Sequence, residues 1–477
     1  MIQLRPDQEQ ILVGVAAGFR RRHRVCVVSP TGSGKTYLAA AFSDRCSKKG
    51  NVCWLIVPKP DLVEQTIATF FKLGIDCGIV CAGYPSRPHA KVQVCSIDTL
   101  RNRHHKMPPP DLLLVDECHH ILAKTWSALM SAYPAAFMVG LTASPVRGDG
   151  QGLGVWFDEL VLGPSVAWLM ENGHLSRYRL YAPSAPDMSG VHSRAGEFVQ
   201  EETEAAMKKS VIVGDIIRHH QRLAHGRKSI LFAPSIKMSK EYAAAFMAAG
   251  VVAVHLDGST SRADRMIAFR GIAAGHIDLL TNASLIGEGV DLAALAGEDV
   301  TLECLIDASP TKSLSLCLQR WGRVLRKKPE PAIILDHAGN NTRFGFPDDE
   351  REWSLDSVKK TKKKKDEEPP VTTATCGTCF YVMPLRVTVC PGCGTERVTK
   401  GRKVEMVDGE LEELDVARLR DEKKRRQGEE LKAARTLDQL IDLMQRWGRK
   451  DPAAHAARIM AEREVYRRER ENQRRAG

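Results

Sequence analysis

The stretch "VVSPTGSGKTYLAAAF", residues 27–42, combines residue types suited to binding a phosphate group. An apolar run, Val25–Val28, leads into a turn of small residues, and an alanine-rich helical pattern follows. The backbone N–H groups of such a turn point outward at a helix N-terminus, where the helix dipole favours an anion. The residues that form the predicted cradle are Thr31, Gly32, Ser33, Gly34, Lys35 and Thr36. Lys35 can reach the β- and γ-phosphates of a nucleotide, and the hydroxyl of Thr36 can ligate Mg²⁺.

Two acidic residues end a second apolar run, "LLLVDECHH", residues 112–120. Parallel sheets bind ligands at the carboxyl ends of their strands, so these acids are expected to reach the phosphate loop. We predict that Asp116 holds Mg²⁺, directly or through water, and that Glu117 deprotonates the water that attacks the γ-phosphorus. His119 and His120 are expected to couple or pack at a domain interface; sensing of the nucleotide state and zinc binding are the alternatives.

A basic segment, "QRWGRVLR", residues 319–326, supplies cations for the same chemistry. Gln319, Arg323 and Arg326 lie three or four residues apart, which predicts that they share one helix face. An arginine that faces the γ-phosphate across an interface stabilises the charge of the transition state. A basic helix that faces DNA or solvent is the alternative for both arginines. Trp321 is expected to pack behind this helix.

Four cysteines occur as C-x₂-C-x₁₀-C-x₂-C in "CGTCFYVMPLRVTVCPGCG", residues 376–394. Two turns of this kind present four thiolates to one metal, which is the pattern of a closed tetrahedral Zn²⁺ site. The predicted ligands are Cys376, Cys379, Cys390 and Cys393. A redox pair is the alternative, but the segment is too small to form an α/β sheet, and we expect it to need the metal to fold.

These residues require a scaffold of parallel strands, and the sequence supplies two sets of apolar runs that alternate with helical stretches. The first set is Val25–Val28, Val52–Val57, Val92–Cys95, Leu112–Val115 and Phe137–Leu141; the second is Ser229–Phe232, Val251–His255, Ile277–Leu280, Cys304–Asp307 and Ala332–Leu335. We therefore predict an α/β protein with two parallel-sheet domains, residues 1–175 and 176–350, with a Pro- and Ser-rich connector over residues 176–195. A charged linker (351–370), a Cys₄ zinc ribbon (371–400) and a charged helical tail (401–477) are predicted to follow.

The composition of the chain indicates what kind of partner it binds and in which compartment it works. The formal net charge is +11, and residues 359–477 hold 29 Lys and Arg against 21 Asp and Glu, which favours a polyanionic partner such as nucleic acid. The thirteen cysteines are odd in number and mostly lie singly in apolar runs, which indicates buried thiols in a reducing cytoplasm. No signal peptide and no membrane span are expected. In the tail, Leu437, Leu440, Ile441 and Met444 follow helical spacing and are expected to pack.

Taken in order, "SPTGSGKT", "DECHH", "GLTASPVRGDG", "LLTNASLIGEGVDL" and "QRWGRVLR" resemble motifs I, II, III, V and VI of the superfamily 2 helicases. "VPKPDLVEQ", "CSIDTL" and "SILFAPSI" resemble motifs Ia, Ib and IV. The resemblance spans residues 3 to about 340, and it implies two tandem RecA-like domains that bind ATP and Mg²⁺. The connector "LMENGHLSRYRLYAPSAPDMSG" resembles the RadD-like helicases of bacteria and phages, which are related to restriction-enzyme motor subunits.

The resemblance implies roles for further residues. Arg5 and Gln8 in "LRPDQ" match an adenine-reading motif, although Asp7 stands where the family has an aromatic residue. Thr142 and Ser144 would couple the nucleotide site to the nucleic-acid site, and Thr281 would contact the nucleic-acid backbone. Gly289 and Asp291 would approach the ribose and the phosphates.

Together these features predict an ATP-dependent helicase or translocase that grips DNA through its phosphates in replication, recombination or repair. An ATP-gated DNA-binding recombination accessory and an RNA helicase are the alternatives. A protein partner could dock on the zinc module or the tail, and the expected location is the bacterial or phage-infected cytoplasm.

Overall fold

In a computed structural model, the chain divides into two units, Met1–Glu413 and Leu414–Gly477. The structure describes residues 2–145, 151–182, 188, 190–194, 197–209, 212–283, 285, 300–357, 373–375, 382–384, 389, 394, 413–414, 425, 427–447 and 451–460. The nucleotide-site motifs all belong to the first unit, which contains two large sheets.

The first sheet has seven strands in the order β3-β4-β2-β5-β6-β1-β7, and all of its neighbouring strands are parallel. The strands are β1 (Arg24–Val28), β2 (Cys53–Val57), β3 (Gly78–Val80), β4 (Val92–Ser96), β5 (Leu112–Asp116), β6 (Phe137–Thr142) and β7 (Glu159–Leu162). Its central strands are buried on both faces, as the continuous apolar runs require. The five predicted runs of this domain are thus confirmed as strands.

Helices cover both faces of this sheet and form two apolar layers. They are α1 (Pro6–Phe19), α2 (Lys35–Lys48), α3 (Pro60–Lys72), α4 (Ile97–Arg103), α5 (Lys124–Ser131) and α6 (Val166–Glu171), with 3₁₀ turns at His104–Lys106, Cys118–Leu122 and Leu153–Val155. The cysteines Cys26, Cys53 and Cys95 are buried free thiols in the strands, as predicted.

The second sheet contains six parallel strands in the order β12-β13-β11-β14-β15-β8. Their bounds are β8 (Tyr178–Tyr181), β11 (Ser229–Phe232), β12 (Ala253–Leu256), β13 (Leu279–Asn282), β14 (Cys304–Asp307) and β15 (Ala332–Asp336). The helices of this domain are α7 (Gln200–Lys209), α8 (Ile212–Leu223), α9 (Ile236–Ala248), α10 (Arg262–Ala273), α11 (Leu314–Gly322) and α12 (Asn340–Phe344). The remaining short strands are β9 (Ser193–Arg194), β10 (Glu197–Phe198), β16 (Thr373–Thr375), β17 (Val382–Pro384) and β18 (Glu413–Leu414).

Two parts of the predicted organisation differ from the structure. The predicted connector contains β8, which pairs with β15 in the second sheet and buries Leu180 and Tyr181 there. Trp353 and Leu355 lie in the segment predicted as a charged linker (351–370), but they pack against the core of the first domain. The backbone there is fixed as well, since Gly154 N donates to Leu355 O at 2.8 Å.

The second unit is a small helical module around α13 (Leu437–Arg446), with further helical residues at 427–433 and 452–460. Leu440 and Met444 are buried and Ile441 packs against them, as predicted. Leu437 is 43% exposed because it is the first residue of the helix. Within the described part of the chain, no helix is long and apolar enough to cross a membrane.

Candidate active site

The phosphate loop connects β1 to α2 at the carboxyl edge of the first sheet. Gly32 and Gly34 have φ angles of 82° and 91°, a region that favours glycine. The hydroxyl of Ser29 lies 2.7 Å from that of Ser33, and both side chains are buried. The loop pattern usually has glycine at the position of Ser29. In this chain the Ser29 hydroxyl forms a hydrogen bond with Ser33, which connects the start of the turn to its end.

Lys35 begins α2 and points back into the loop. Its Nζ donates to Ser29 O at 3.3 Å and to Pro30 O at 3.5 Å. Both are long hydrogen bonds, so the ammonium can exchange these carbonyls for phosphate oxygens at little cost. Thr36 follows in the first turn of the helix and lines the same cleft.

The "LRPDQ" segment contacts the loop from α1. Arg5 Nη2 donates to Ser33 O at 2.8 Å, and Gln8 Nε2 donates to the same carbonyl at 3.3 Å. Asp7 accepts from Arg5 Nε and Nη2 at 2.9 Å each, in a bidentate pair. Asp7, which stands where the family has an aromatic residue, therefore orients Arg5 towards the phosphate loop.

Asp116 and Glu117 lie at the carboxyl end of β5, on the same edge of the sheet as the loop. Burial, followed by the charge of Glu117, raises the pKa of Asp116 to about 7, and the Lys35 ammonium opposes that shift. A half-buried carboxylate that lines one cleft with a second carboxylate and a threonine hydroxyl is a set of hard oxygen ligands, which fits Mg²⁺. Asp116 and Thr36 are the residues that would hold it.

Glu117 has an unusual backbone. Its φ and ψ are 47° and 51°, and among the described residues it is the one non-glycine with a positive φ. This conformation costs a non-glycine residue on the order of 1–3 kcal/mol and persists where surrounding contacts enforce it. Here it turns the carboxylate away from the path of β5.

The Glu117 carboxylate is held from two sides. Gln319 Nε2, from the second domain, donates to Glu117 Oε2 at 3.3 Å. His119 Nδ1 lies 3.5 Å from the same oxygen and 3.2 Å from Thr142 Oγ1. Thr142 Oγ1 in turn donates to Ser144 O at 2.8 Å. His119 thus connects the carboxylate to the motif III residues, as a coupling role requires.

Helix α11, which carries Gln319, is fixed to the interior of the second domain by the two residues that follow Gln319. Arg320 donates to Ser309 O at 2.9 Å and lies 3.6 Å from Asp307 Oδ1, and both charged side chains are buried. Trp321 is fully buried, and its Nε1 donates to Asp307 Oδ2 at 3.0 Å. Arg320 is therefore part of the second domain's interior, and Trp321 packs as predicted.

The shared helix face predicted for Gln319, Arg323 and Arg326 is wrong in one respect. Helix α11 ends at Gly322, and Arg326 lies beyond it in an antiparallel bridge with Leu175. Ser176 Oγ also donates to Arg326 O at 3.0 Å. A β-type pairing with the segment between the domains, rather than helical spacing, brings Arg326 to the site.

The residues from both domains line one cleft of about 290 Å³. The two domains approach closely there, since a Cβ added at Gly322 would lie 2.6 Å from Thr31 Cβ. The lining consists of Thr31, Gly32, Gly34, Lys35, Thr36, Tyr37, Gln65, Thr69, Asp116, Glu117, Gln319, Arg323 and Arg326. Sequence reasoning missed Tyr37, Gln65 and Thr69; of these, Gln65 ends the segment that resembles motif Ia, which was the available signal.

Two sets of predicted ligands lie outside the described residues. Gly289 and Asp291 form one set, and the other is Cys376, Cys379, Cys390 and Cys393. Among the residues that are described, no group of three or more His, Cys, Asp or Glu is arranged to hold a metal ion.

Comparison with known proteins defines the class of the chain. Residues 1–147 match the family "Type III restriction enzyme, res subunit", and residues 208–328 match the family "Helicase conserved C-terminal domain". A 51.5 kDa protein of a Lactococcus phage is 30% identical over 372 residues, which cover 77% of each chain. The chain belongs to the superfamily 2 helicases that these two domains define, and it is an ATP-hydrolysing helicase or translocase.

Two further relatives extend the comparison. The DNA 3'-5' translocase XPB2 of Sulfurisphaera tokodaii is 23% identical, over 70% of this chain and 81% of its own. The type ISP restriction-modification enzyme LlaBIII, solved bound to DNA, superposes with a TM-score of 0.52 at 17% identity. That match covers 70% of this chain and 27% of the enzyme, and it shows a shared fold.

Proposed function

We propose that the chain is a DNA translocase in which ATP hydrolysis closes and reopens the cleft between its two sheet domains. The observation that carries the proposal is the contact between Gln319 and Glu117, at 3.3 Å across the domains. Because the carboxylate expected to activate water touches the second domain, hydrolysis and the relative position of the domains are linked.

Each residue of the cleft has a proposed role. The loop N–H groups, Lys35, Arg5 and Gln8 bind and orient the nucleotide, whose γ-phosphate is the reacting group. Thr36 and Asp116 would hold Mg²⁺, which supplies charge neutralisation at the phosphates. Glu117 accepts the proton of the attacking water. Arg323 and Arg326 stabilise transition-state charge from the second domain, and Gly289 and Asp291 would complete the nucleotide contacts.

DNA is the proposed substrate, bound mainly through its phosphates. Support comes from the net charge of +11 and from the relative named as a DNA translocase. Thr281, which was predicted to contact the nucleic-acid backbone, is instead fully buried in the second sheet, where its hydroxyl donates to Ser239 O at 2.9 Å. We further propose a task in replication, recombination or repair, in the cytoplasm of a bacterium or a phage-infected cell.

ATPase assays with single-stranded DNA, duplex DNA and RNA of matched length test this assignment. We expect DNA to stimulate turnover and RNA to do so far less, with a stimulation that weakens as salt rises. Preferential stimulation by RNA would identify an RNA helicase, and no stimulation by any nucleic acid would contradict the proposal.

We also propose that Cys376, Cys379, Cys390 and Cys393 bind structural Zn²⁺. The support is their spacing, together with the antiparallel pairing of Thr373–Thr375 with Val382–Pro384, the two segments that precede and follow the first cysteine pair in sequence.

Zinc removal, or truncation at Asp366, should leave basal ATP hydrolysis largely intact, because the nucleotide-site residues all precede residue 330. DNA binding should weaken, since a basic, metal-folded appendage supplies phosphate contacts, and each lost contact should lower the salt slope by about one. ATPase without DNA and DNA affinity across a salt series, on full-length and truncated protein, measure both effects. Unchanged affinity and slope would indicate a protein-docking module, and loss of basal ATPase would show that the appendage is part of the motor.

A further inference from the structure

The adenine-reading segment of this chain lacks the aromatic ring that its family has there, because Asp7 occupies the position. The Asp7 side chain is buried, and its two oxygens accept from Nε and Nη2 of Arg5 at 2.9 Å each. A carboxylate that is buried and paired in this way offers a nucleotide base no flat π surface. A base that stacks in this cleft must therefore use another ring.

Tyr37 supplies such a ring. Among the described residues that line the cleft, it is the one with an aromatic side chain. Tyr37 is 45% exposed, so the ring is accessible to a bound ligand. A single exposed aromatic residue on a protein surface is ordinary, but this one lies on the wall of the cleft that also contains the phosphate loop.

The position of Tyr37 on α2 places it next to the expected phosphate contacts. Lys35 and Thr36 are the first two residues of the helix, and Tyr37 is the third. Tyr37 N donates to Gly34 O at 3.0 Å, so Tyr37 belongs to the first helical turn. The Cα–Cβ bonds of a helix tilt towards its N-terminus, which directs the ring of Tyr37 back towards the loop.

The adenine-reading segment borders the same part of α2. A Cβ added at Gly34 would lie 2.7 Å from Gln8 Nε2 and 3.8 Å from Arg5 Nη1. Gly34 and Tyr37 are three residues apart, which makes them neighbours on one side of the helix. Gln8, Arg5 and the ring of Tyr37 therefore surround the start of α2 together.

We propose that a bound nucleotide stacks its base on the ring of Tyr37, which takes the place of the family's aromatic residue at the position of Asp7. The proposal rests on the proposed function, because it requires that the cleft binds a nucleoside triphosphate. In this arrangement the triphosphate occupies the loop, and the base lies beyond it, against the ring. Every base has a π face, so this contact supplies affinity rather than selection among bases.

Equilibrium binding of ATP, ADP and inorganic tripolyphosphate to the full chain separates base contacts from phosphate contacts. Tyr37→Ala should weaken the binding of ATP and of ADP by about 10-fold, the usual size of one stack between a base and an aromatic ring. Tripolyphosphate has no base, so its affinity should not change. Tyr37→Phe keeps the ring and should bind ATP as the wild-type protein does.

Phe71→Ala is the matched control. Phe71 lies on α3 of the same domain, is 83% exposed and is not among the residues that line the cleft. Its removal takes away an accessible aromatic ring without touching the nucleotide, so the affinities for ATP and ADP should stay at their wild-type values. The Tm should be unchanged in both alanine variants, because neither ring is buried.

Photolabelling with 2-azidoadenosine triphosphate locates the base without relying on hydrolysis. The azide reacts with residues beside the base, so the tryptic peptide of residues 36–45, which contains Tyr37, should carry the label. Excess ATP should prevent the labelling. Label confined to the peptide of residues 1–20 would show that the base lies against the adenine-reading segment alone, and it would overturn the proposal.

The outcomes of the binding assay separate this proposal from the proposed function. A wild-type chain that binds neither ATP nor tripolyphosphate contradicts the proposed function. Where the wild-type protein binds ATP, an unchanged affinity in Tyr37→Ala overturns the role of Tyr37 alone. Equal losses for ATP and tripolyphosphate also overturn it, because Tyr37 would then shape the phosphate loop. A loss in Tyr37→Phe as large as in Tyr37→Ala would assign the contact to the hydroxyl and exclude a stack.

Discussion

Replacing Glu117 with glutamine should slow ATP hydrolysis at least ~100-fold while ATP still binds. The amide keeps the size of the side chain and can still meet Gln319, but it cannot accept the proton of the attacking water. Single-turnover hydrolysis and equilibrium binding of ATP, measured on the same preparation, separate the two effects.

Glu171→Gln, at an exposed position of the first domain, is the control for this substitution and should behave as wild type. Normal turnover in Glu117→Gln would refute the assignment of the base. A loss of ATP affinity without a slower chemical step would instead make Glu117 a ligand of the bound nucleotide.

Replacing Arg323 with alanine should lower turnover by roughly 10³-fold, as expected when an arginine that stabilises transition-state charge is removed. Arg323 is 6% exposed in the cleft between the domains, so solvent screens its charge little. ATP affinity should change far less than kcat, because the interaction strengthens as charge develops at the γ-phosphate.

Arg270→Ala, on the exposed surface of the same domain, removes an equal charge and is the matched control. If ATP affinity collapses in Arg323→Ala while turnover survives, Arg323 binds the ground state or the DNA. ATP affinity and kcat measured on Arg326→Ala show how much each of the two arginines contributes to turnover.

Much of the fold was predictable because buried parallel strands are continuous apolar runs. Each of the ten predicted runs overlaps a strand, and β1 and β14 match their predicted bounds to within one residue. Three strands of four residues or fewer in the two large sheets, β3, β7 and β8, were not predicted; they lie at or near sheet edges, where burial is incomplete and the apolar signal weakens.

The nucleotide loop and the acidic pair were predictable because each is a local spacing on one strand-to-helix connection. The contacts between segments far apart in sequence could not be predicted, because no local spacing encodes them. Gln319 meets Glu117 across 202 residues of sequence, and Ser176 binds the Arg326 carbonyl across 150. Asp7 likewise breaks the family pattern in sequence, and its pairing with Arg5 becomes evident only when the side chains are placed.

We propose that closure of this cleft drives movement along DNA, and displacement of a triplex-forming strand from duplex DNA measures that movement directly. We predict displacement by the wild-type protein with ATP, none with a non-hydrolysable ATP analogue, and none by Glu117→Gln with ATP. DNA-stimulated ATP hydrolysis without any displacement would contradict the claim and would identify the protein as an ATP-gated DNA-binding factor.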